Sequence, residues 1–259
     1  MIGSYVAVGD SFTEGVGDPG PDGAFVGWAD RFAVLLADRR PEGGFQYTNL
    51  AVRGRLLDQI VAEQVSRAVE LAPDLVSFCA GGNDIIRPGT DPDEVAERFE
   101  EAVSRLAAVS GTVVVTTGFD TRGVPLLKHL RGKIATYNGH VRAIADRYGC
   151  PVLDLWSLKA VQDRRAWDDD RLHLSPDGHT RVALRAGQVL GLDVPADPEQ
   201  PWPPPRGTLE VRRDDVHWAR EYLVPWIGRR LRGESSGDHV TAKGALSPDA
   251  IRTRIASVA

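Results

Sequence analysis

Residues 4–15 read SYVAVGDSFTEG, an apolar run of strand length that ends directly in a Gly-Asp-Ser turn. Similar apolar runs occupy positions 45–52, 75–80, 113–116 and 151–156, and segments with helical periodicity separate them. This alternation predicts βαβ units, and nearly continuous apolar strands predict a parallel sheet covered on both faces. The expected fold is a three-layer α/β/α domain, doubly wound around a mostly parallel, five-stranded sheet. Functional residues are expected at the carboxyl ends of its strands.

The composition excludes several classes of protein. Of the 259 residues, 42% are hydrophobic and 26% are charged, which is ordinary for a globular protein with a sizeable core. The formal net charge of −5 is distributed with mixed signs, so no nucleic-acid surface is expected. No run of about 18 apolar residues and no signal peptide is evident, so we expect a cytoplasmic protein without a membrane span. Cys79 and Cys150 have no metal-binding spacing and are expected to be buried thiols.

Changes in composition divide the chain into three parts. We expect a main domain over 1–194, a proline-rich linker or surface strap over 195–207 and a C-terminal extension over 208–259. In the extension, apolar residues at helical spacing predict an amphipathic helix that docks on the main domain: Ala219, Tyr222, Leu223, Trp226, Ile227 and Leu231. Contact with an anionic membrane surface or a partner is the alternative for this helix. The polar tail after position 233 is expected to be mobile at least to Lys243.

Candidate functional residues follow several of the predicted strands. Ser11 comes after the first strand, Gly54 after the second and Asn83 after the third, whereas Asp170 and His173 lie on a loop after the last. A serine beside a histidine can act as a nucleophile, and a carboxylate three residues before the histidine can fix its tautomer. Backbone N–H groups and an amide can stabilise an oxyanion. Each motif alone is more typical of a turn, so the argument rests on their joint order.

In chain order, GDSFTEG, the glycine of NLAVRG, GGND and DRLH resemble the sequence blocks of the SGNH/GDSL hydrolase family, over residues 9 to about 179. The resemblance implies the flavodoxin-like fold of that family and a serine esterase that needs no cofactor and no metal. The implied substrate is a small or medium acyl ester.

The same resemblance implies a role for each matched residue. Ser11 would attack the ester carbonyl, His173 would act as general base, and Asp170 would orient His173. The implied oxyanion hole combines the backbone N–H groups of Ser11 and Gly54 with the side-chain amide of Asn83.

Two positions depart from the family pattern. Phe12 stands where leucine is more frequent, which keeps an apolar residue behind the serine. Arg171 stands where glycine is frequent, directly after the candidate acid. Because Asp168 and Asp169 precede Asp170, the sequence leaves open which carboxylate orients the histidine.

Three other interpretations compete with the esterase. Residues 15–20 read GVGDPG and satisfy the GxGxxG fingerprint of nucleotide-binding proteins, although the prolines that follow oppose a helix start there. A metal-dependent phosphoesterase would use a cluster of acids and histidines: Asp168, Asp169, Asp170, His173 and His179. A non-catalytic binding module on the same fold is the third. The oligomeric state is left open.

Overall fold

The computed structural model describes residues 2–40, 42–124, 127–203 and 237–256. The strands are β1 Ser4–Gly9, β2 Gln46–Asn49, β3 Leu75–Cys79, β4 Thr112–Thr116, β5 Val152–Leu153 and β6 Gly244–Leu246. The helices are α1 Ser11–Glu14, α2 Trp28–Ala37, α3 Leu57–Ile60, α4 Ser66–Leu71, α5 Gly82–Ile85, α6 Pro92–Ala107, α7 Arg131–Tyr148, α8 Pro176–Val189 and α9 Pro248–Ala256. A π-helical turn, Val61–Val65, joins α3 to α4.

The strands form one sheet in the order β5-β4-β3-β1-β2-β6, in which the pairs among β1 to β5 are parallel. Because β1 lies between β2 and β3, the chain winds outward from β1 in both directions. Ligands of such sheets bind outside the carboxyl ends of the strands, where the winding reverses. Ser11 follows β1 and Asn83 follows β3, so both residues start at this place. The predicted doubly wound fold and its parallel strands are confirmed.

The sheet has one strand more than the sequence predicted. β6 pairs antiparallel with β2 and comes from the tail that was expected to be mobile as far as Lys243. The structure differs from that expectation at Lys243, whose ammonium contacts the buried Asp30 carboxylate and donates to the Phe25 carbonyl. β6 also covers the edge of β2 that would otherwise be unpaired. A strand as short as Gly244–Leu246 has no hydrophobic periodicity that could reveal it.

Apolar layers fill both faces of the sheet. One layer includes Trp28 and Phe32 of α2 and packs beneath α8 and α9. The opposite layer lies beneath α3, α4, α6 and α7, and there Phe78 of β3 stacks on Phe99 of α6 with ring centroids 4.7 Å apart. Burial of each such ring contributes about 1.5–3 kcal/mol. These layers hold the strand ends, and the residues attached to them, in fixed positions.

The proline-rich stretch runs along the surface as far as it is described. Trp202 donates its indole N–H to the Ala160 carbonyl at 3.1 Å, and the Arg181 guanidinium lies 4.0 Å from the centre of the Trp202 ring. The expected amphipathic helix at 219–231 lies outside the described residues. The boundaries at 194 and 207 stay predictions. No helix in the described parts of the chain is both long and apolar enough to cross a membrane.

Candidate active site

Ser11 is placed by a tight junction between β1 and α1. Asp10 caps the helix, because its carboxylate accepts the Phe12 N–H at 3.1 Å. Gly9 is required just before it, since a Cβ at that position would lie 2.6 Å from the Cys79 carbonyl oxygen. The Gly-Asp-Ser motif therefore turns the chain at the strand end and leaves Ser11 at the mouth of the sheet.

The acid and the histidine form one compact turn. The Asp170 carboxylate lies 2.5 Å from His173 Nδ1 and accepts the backbone N–H groups of Leu172 and His173, both at 2.9 Å. Burial acts to raise the pKa of Asp170, but the hydrogen bonds from the ring and backbone of His173 outweigh it and hold the pKa below its ordinary value. Asp169, with its side chain 87% exposed, points instead toward Arg164. Of the three adjacent acids, Asp170 contacts the ring.

Arg171 closes this turn in a conformation that is unusual for its residue type. Its φ is +56°, in the left-handed region that favours glycine. This explains why glycine suits the position after the acid. The turn ends at Ser175, which caps α8 by accepting the Gly178 N–H at 3.2 Å.

Asn83 lies at the start of α5 and connects two strand ends. Its side-chain Nδ2 donates to the Asp10 carboxylate and to the Arg55 carbonyl, each at 3.1 Å. Gly81 permits this approach, because its φ is +87° and a Cβ there would lie 2.4 Å from the Tyr137 hydroxyl. The GGND motif thus points an amide at the residue next to Ser11.

A cavity of about 180 Å³ opens at this point. Its lining contains three of the predicted site residues, Ser11, Asn83 and His173. Asp170 stands behind His173, outside the lining. Gly54 also lies outside the lining, on the loop after β2 with φ +72°, next to the Arg55 carbonyl that accepts from Asn83. The structure therefore lines one cavity with three of the five residues, adds Asp170 through its contact with His173, and leaves Gly54 outside the lining.

Asp10 is a site residue that the sequence reasoning missed. It lines the same cavity, is only 7% exposed and accepts a hydrogen bond from Asn83. Burial raises the pKa of Asp10 to about 6, although the Phe12 N–H and the nearby His173 act to lower it. An acid directly before a candidate nucleophile was the available signal, but a Gly-Asp-Ser turn already accounts for an aspartate at that position, and the contact with Asn83 exists only in the folded sheet.

The geometry disfavours the metal-centre interpretation. His179 is fully buried, its Nδ1 accepts the Trp28 N–H at 3.1 Å, and its Nε2 lies 3.2 Å from the Val16 carbonyl oxygen. Burial lowers the pKa of His179 to about 3. Neither ring nitrogen is therefore available to the Asp168 to His173 loop. Within the described ranges, no group of three or more His, Cys, Asp or Glu residues could hold a metal ion.

The glycine-rich stretch at 15–20 is used for packing. Gly15 ends α1, and a Cβ on it would lie 2.6 Å from Gly27. A Cβ on Gly17 would lie 2.2 Å from the Leu174 carbonyl oxygen, beside the histidine loop. The next helix, α2, begins only at Trp28, so no helix N-terminus meets this stretch as a phosphate-binding turn requires.

This fold and site define a class, the α/β/α hydrolases with a serine at the end of the first strand. The model of the GDSL-like lipase/acylhydrolase family matches residues 7–181, and the chain belongs to that family. It is an ester-bond hydrolase. The uncharacterized protein YpmR of Bacillus subtilis (strain 168) is 26% identical over 210 residues, which cover 71% of this chain and 80% of that protein.

Two solved structures show the same fold. The α/β hydrolase LAE5, from the metagenome of Lake Arreo, Spain, is 24% identical with a TM-score of 0.62, and the match covers 74% of this chain and 97% of LAE5. The acetylxylan esterase Axe2 of Geobacillus stearothermophilus is 21% identical with a TM-score of 0.62, over 73% of this chain and 94% of Axe2.

Proposed function

We propose that the chain is a serine esterase that hydrolyses a small or medium acyl ester through an acyl-enzyme. The observation that carries this proposal is the Asp170–His173 pair at the wall of a cavity that Ser11 also lines. When His173 Nδ1 donates to Asp170, Nε2 carries the lone pair that a general base needs. Because its pKa is held below the ordinary value, the Asp170 carboxyl is ionised at neutral pH and can accept the Nδ1 hydrogen.

In the proposed mechanism, Ser11 Oγ attacks the ester carbonyl as His173 Nε2 accepts its proton. The tetrahedral intermediate collapses, the bond to the alcohol breaks, and the alkoxide leaves with the proton from His173. Water then attacks the acyl-enzyme with the same histidine as base, which releases the acid and restores Ser11.

The proposed oxyanion hole consists of the backbone N–H groups of Ser11 and Gly54 and the Asn83 amide. An amide nitrogen has two hydrogens, and those of Asn83 face Asp10 and the Arg55 carbonyl. A substrate oxyanion would therefore share one of the Asn83 hydrogens with its present acceptor, or take the place of that acceptor. Each such donor typically supplies about 2.7–4 kcal/mol.

The test combines a fluorophosphonate probe with short-chain p-nitrophenyl esters, in the presence of a chelator. Wild type should be labelled and active, and Ser11→Ala should lose both. His173→Ala should lower kcat by about 10³-fold or more, because members of one nucleophilic unit fail together. Labelling that persists in Ser11→Ala would refute the assignment, and activity abolished by the chelator would favour a metal mechanism.

A matched pair of variants tests the acid. Asp170→Ala should reduce kcat by orders of magnitude, because His173 loses the group that fixes its tautomer. Asp169→Ala is the control, since that exposed carboxylate does not contact the ring. Equal, small effects of both substitutions would remove Asp170 from the proposed triad.

A further inference from the structure

The walls of the cavity beside Ser11 are mainly apolar and mostly buried. They include residues from α5, the β4–α7 connection, α7 and the segment after β5: Ile85, Ile86, Phe119, Leu127, Ile134 and Leu155. Ile85 is 1% exposed and Leu155 is 2% exposed. A surface of this kind gains free energy when it contacts hydrocarbon.

Several polar groups of the lining are engaged with the protein itself, whereas the buried Thr121 hydroxyl has no hydrogen-bond partner among the described residues. The Tyr137 hydroxyl donates to the Ala80 carbonyl, and Thr117 donates to Asp154. Asp10 accepts from Asn83. Most of the surface of the described lining is nonetheless apolar, so the cavity suits hydrocarbon better than a sugar, which needs several directed hydrogen bonds from its site.

The size of the cavity sets the scale of its occupant. An apolar cavity of about 150 Å³ holds one benzene molecule, and this cavity is about 180 Å³. It therefore suits a hydrocarbon segment of about six carbons. An acetyl group would leave most of it unfilled and would forgo the dispersion contacts of a close-packed site.

The acyl part of the ester fits the enclosed side better than the alcohol. The alcohol leaves first, past His173, whose side chain is 23% exposed. The acyl group stays attached to Ser11 until water attacks, so it benefits throughout from buried walls such as Ile85 and Leu155.

Resting on the proposed esterase function, we propose that this cavity binds the acyl chain, and that the preferred substrates carry an apolar acyl group of about six carbons rather than acetyl. Ile134 and Leu155 set the chain length. Ile134 is suited to this role because its side chain lines the cavity and packs against Gly118, which follows β4 and also lines the cavity. A larger or smaller side chain there changes the depth available to the acyl chain.

The experiment measures kcat/KM for p-nitrophenyl esters from acetate to dodecanoate, below their micelle concentrations. Each added methylene that enters the cavity should raise kcat/KM by about fourfold, up to about six carbons, after which the value should fall. Ile134→Phe should move the optimum to shorter chains, and Ile134→Ala to longer ones. Leu71→Phe is the matched control, because Leu71 is 39% exposed on α4 and outside the cavity.

A second substrate pair tests which half of the ester enters the cavity. Ethyl hexanoate should be cleaved much faster than hexyl acetate, although both contain the same number of carbons. Faster cleavage of hexyl acetate would place the alcohol in the cavity and overturn the proposal. So would an acetate optimum, or a profile that neither Ile134 variant shifts.

The outcomes distinguish a failure of the acyl-chain site from a failure of the proposed esterase function. An enzyme that labels with fluorophosphonate at Ser11 but prefers acetate keeps the esterase function and loses the acyl-chain site. An enzyme that neither labels nor cleaves any ester loses both. If Ile134→Phe unfolds, as thermal melting would show, Leu155→Ala serves instead and should move the optimum to longer chains.

Discussion

The buried carboxylate of Asp10 has a measurable effect on how stability depends on pH. It lies 7% exposed at the cavity and accepts hydrogen bonds from Phe12 and Asn83. Burial is the main reason that its pKa rises from 3.8 to about 6. The charged and titratable groups near Asp10 have opposite effects on its pKa. His173 lowers it and Asp84 raises it, and Cys79 and Tyr137 are also close.

The sign of the effect follows from the two states of the chain. Below pH 3.8 the carboxyl is protonated in both the folded and the unfolded chain, so its burial has no ionisation cost. Between pH 3.8 and 6 the unfolded chain releases the proton first, so the free energy of unfolding falls as the pH rises. Above pH 6 the full destabilisation of the folded chain is present. A rise in pKa from 3.8 to about 6 corresponds to a loss of about 3 kcal/mol in the free energy of unfolding.

The variant Asp10→Asn keeps the shape of the side chain and removes the titration. Urea unfolding of wild type and variant from pH 4 to pH 8 gives the difference in their unfolding free energies at each pH. This difference should shift in favour of the variant by about 2.4 kcal/mol over that range, because a small part of the effect is already present at pH 4. The hydrogen bond that the variant loses to Asn83 lowers its stability to the same extent at every pH and cancels from the shift.

Asp169→Asn is the matched control, because it makes the same substitution at a side chain that is 87% exposed and outside the cavity lining. A flat curve for Asp10→Asn would refute the raised pKa. A curve that shifts against the variant at high pH would show that the site stabilises the ionised carboxylate instead.

Substitutions at two further positions, Arg171 in the turn before His173 and Lys243 just before β6, give two more predictions. Arg171→Gly should keep kcat and raise the free energy of unfolding, because glycine adopts the φ of +56° without the cost of about 1–2 kcal/mol that an L residue carries there. The β-branched Arg171→Val should lower both kcat and stability, because this region is less accessible to valine than to arginine. Steady-state kinetics would show the difference between the two variants, and equal kcat values would contradict it. Lys243→Met should lower the free energy of unfolding by about 3–5 kcal/mol, because it leaves the Asp30 charge buried without its partner. Lys159→Met on the surface is the control, the double variant with Asp30→Asn should recover part of the loss, and a Lys243→Met protein as stable as wild type would contradict the pairing.

The parallel core of the fold could be predicted from the sequence because its signals are local. Each strand of the sheet's centre is a continuous apolar run followed by turn residues, and each helix has one apolar face. β6 could not be found this way, because it forms only where the Gly244–Leu246 backbone meets the edge of β2 and where Lys243 reaches Asp30. Such pairing depends on residues about two hundred positions apart.

The sequence indicates those parts of the candidate site in which a residue makes its contacts with near neighbours in the chain. The spacing of Asp170 and His173 already places them on one turn, and the structure gives that turn its hydrogen bonds. Asp10 serves two roles, and only the first, capping α1, is visible in the local sequence. Its contact with Asn83 spans β1 and β3 and requires the sheet to exist. The depth of the cavity is likewise a property of packed helices.

The family match ends at residue 181, yet the structure ties the nucleophile to chain beyond it. Asn49 donates to the Thr13 carbonyl of α1 at 3.1 Å and to the Asp30 carboxylate at 3.0 Å. Asp30 in turn holds Lys243 of the C-terminal segment. A buried carboxylate needs hydrogen-bonding or charged partners, because burying an unpaired charge strongly destabilises the folded state. The segment that contributes Lys243 is therefore part of the support of the helix that begins with Ser11, and residues 7–181 alone would leave that support incomplete.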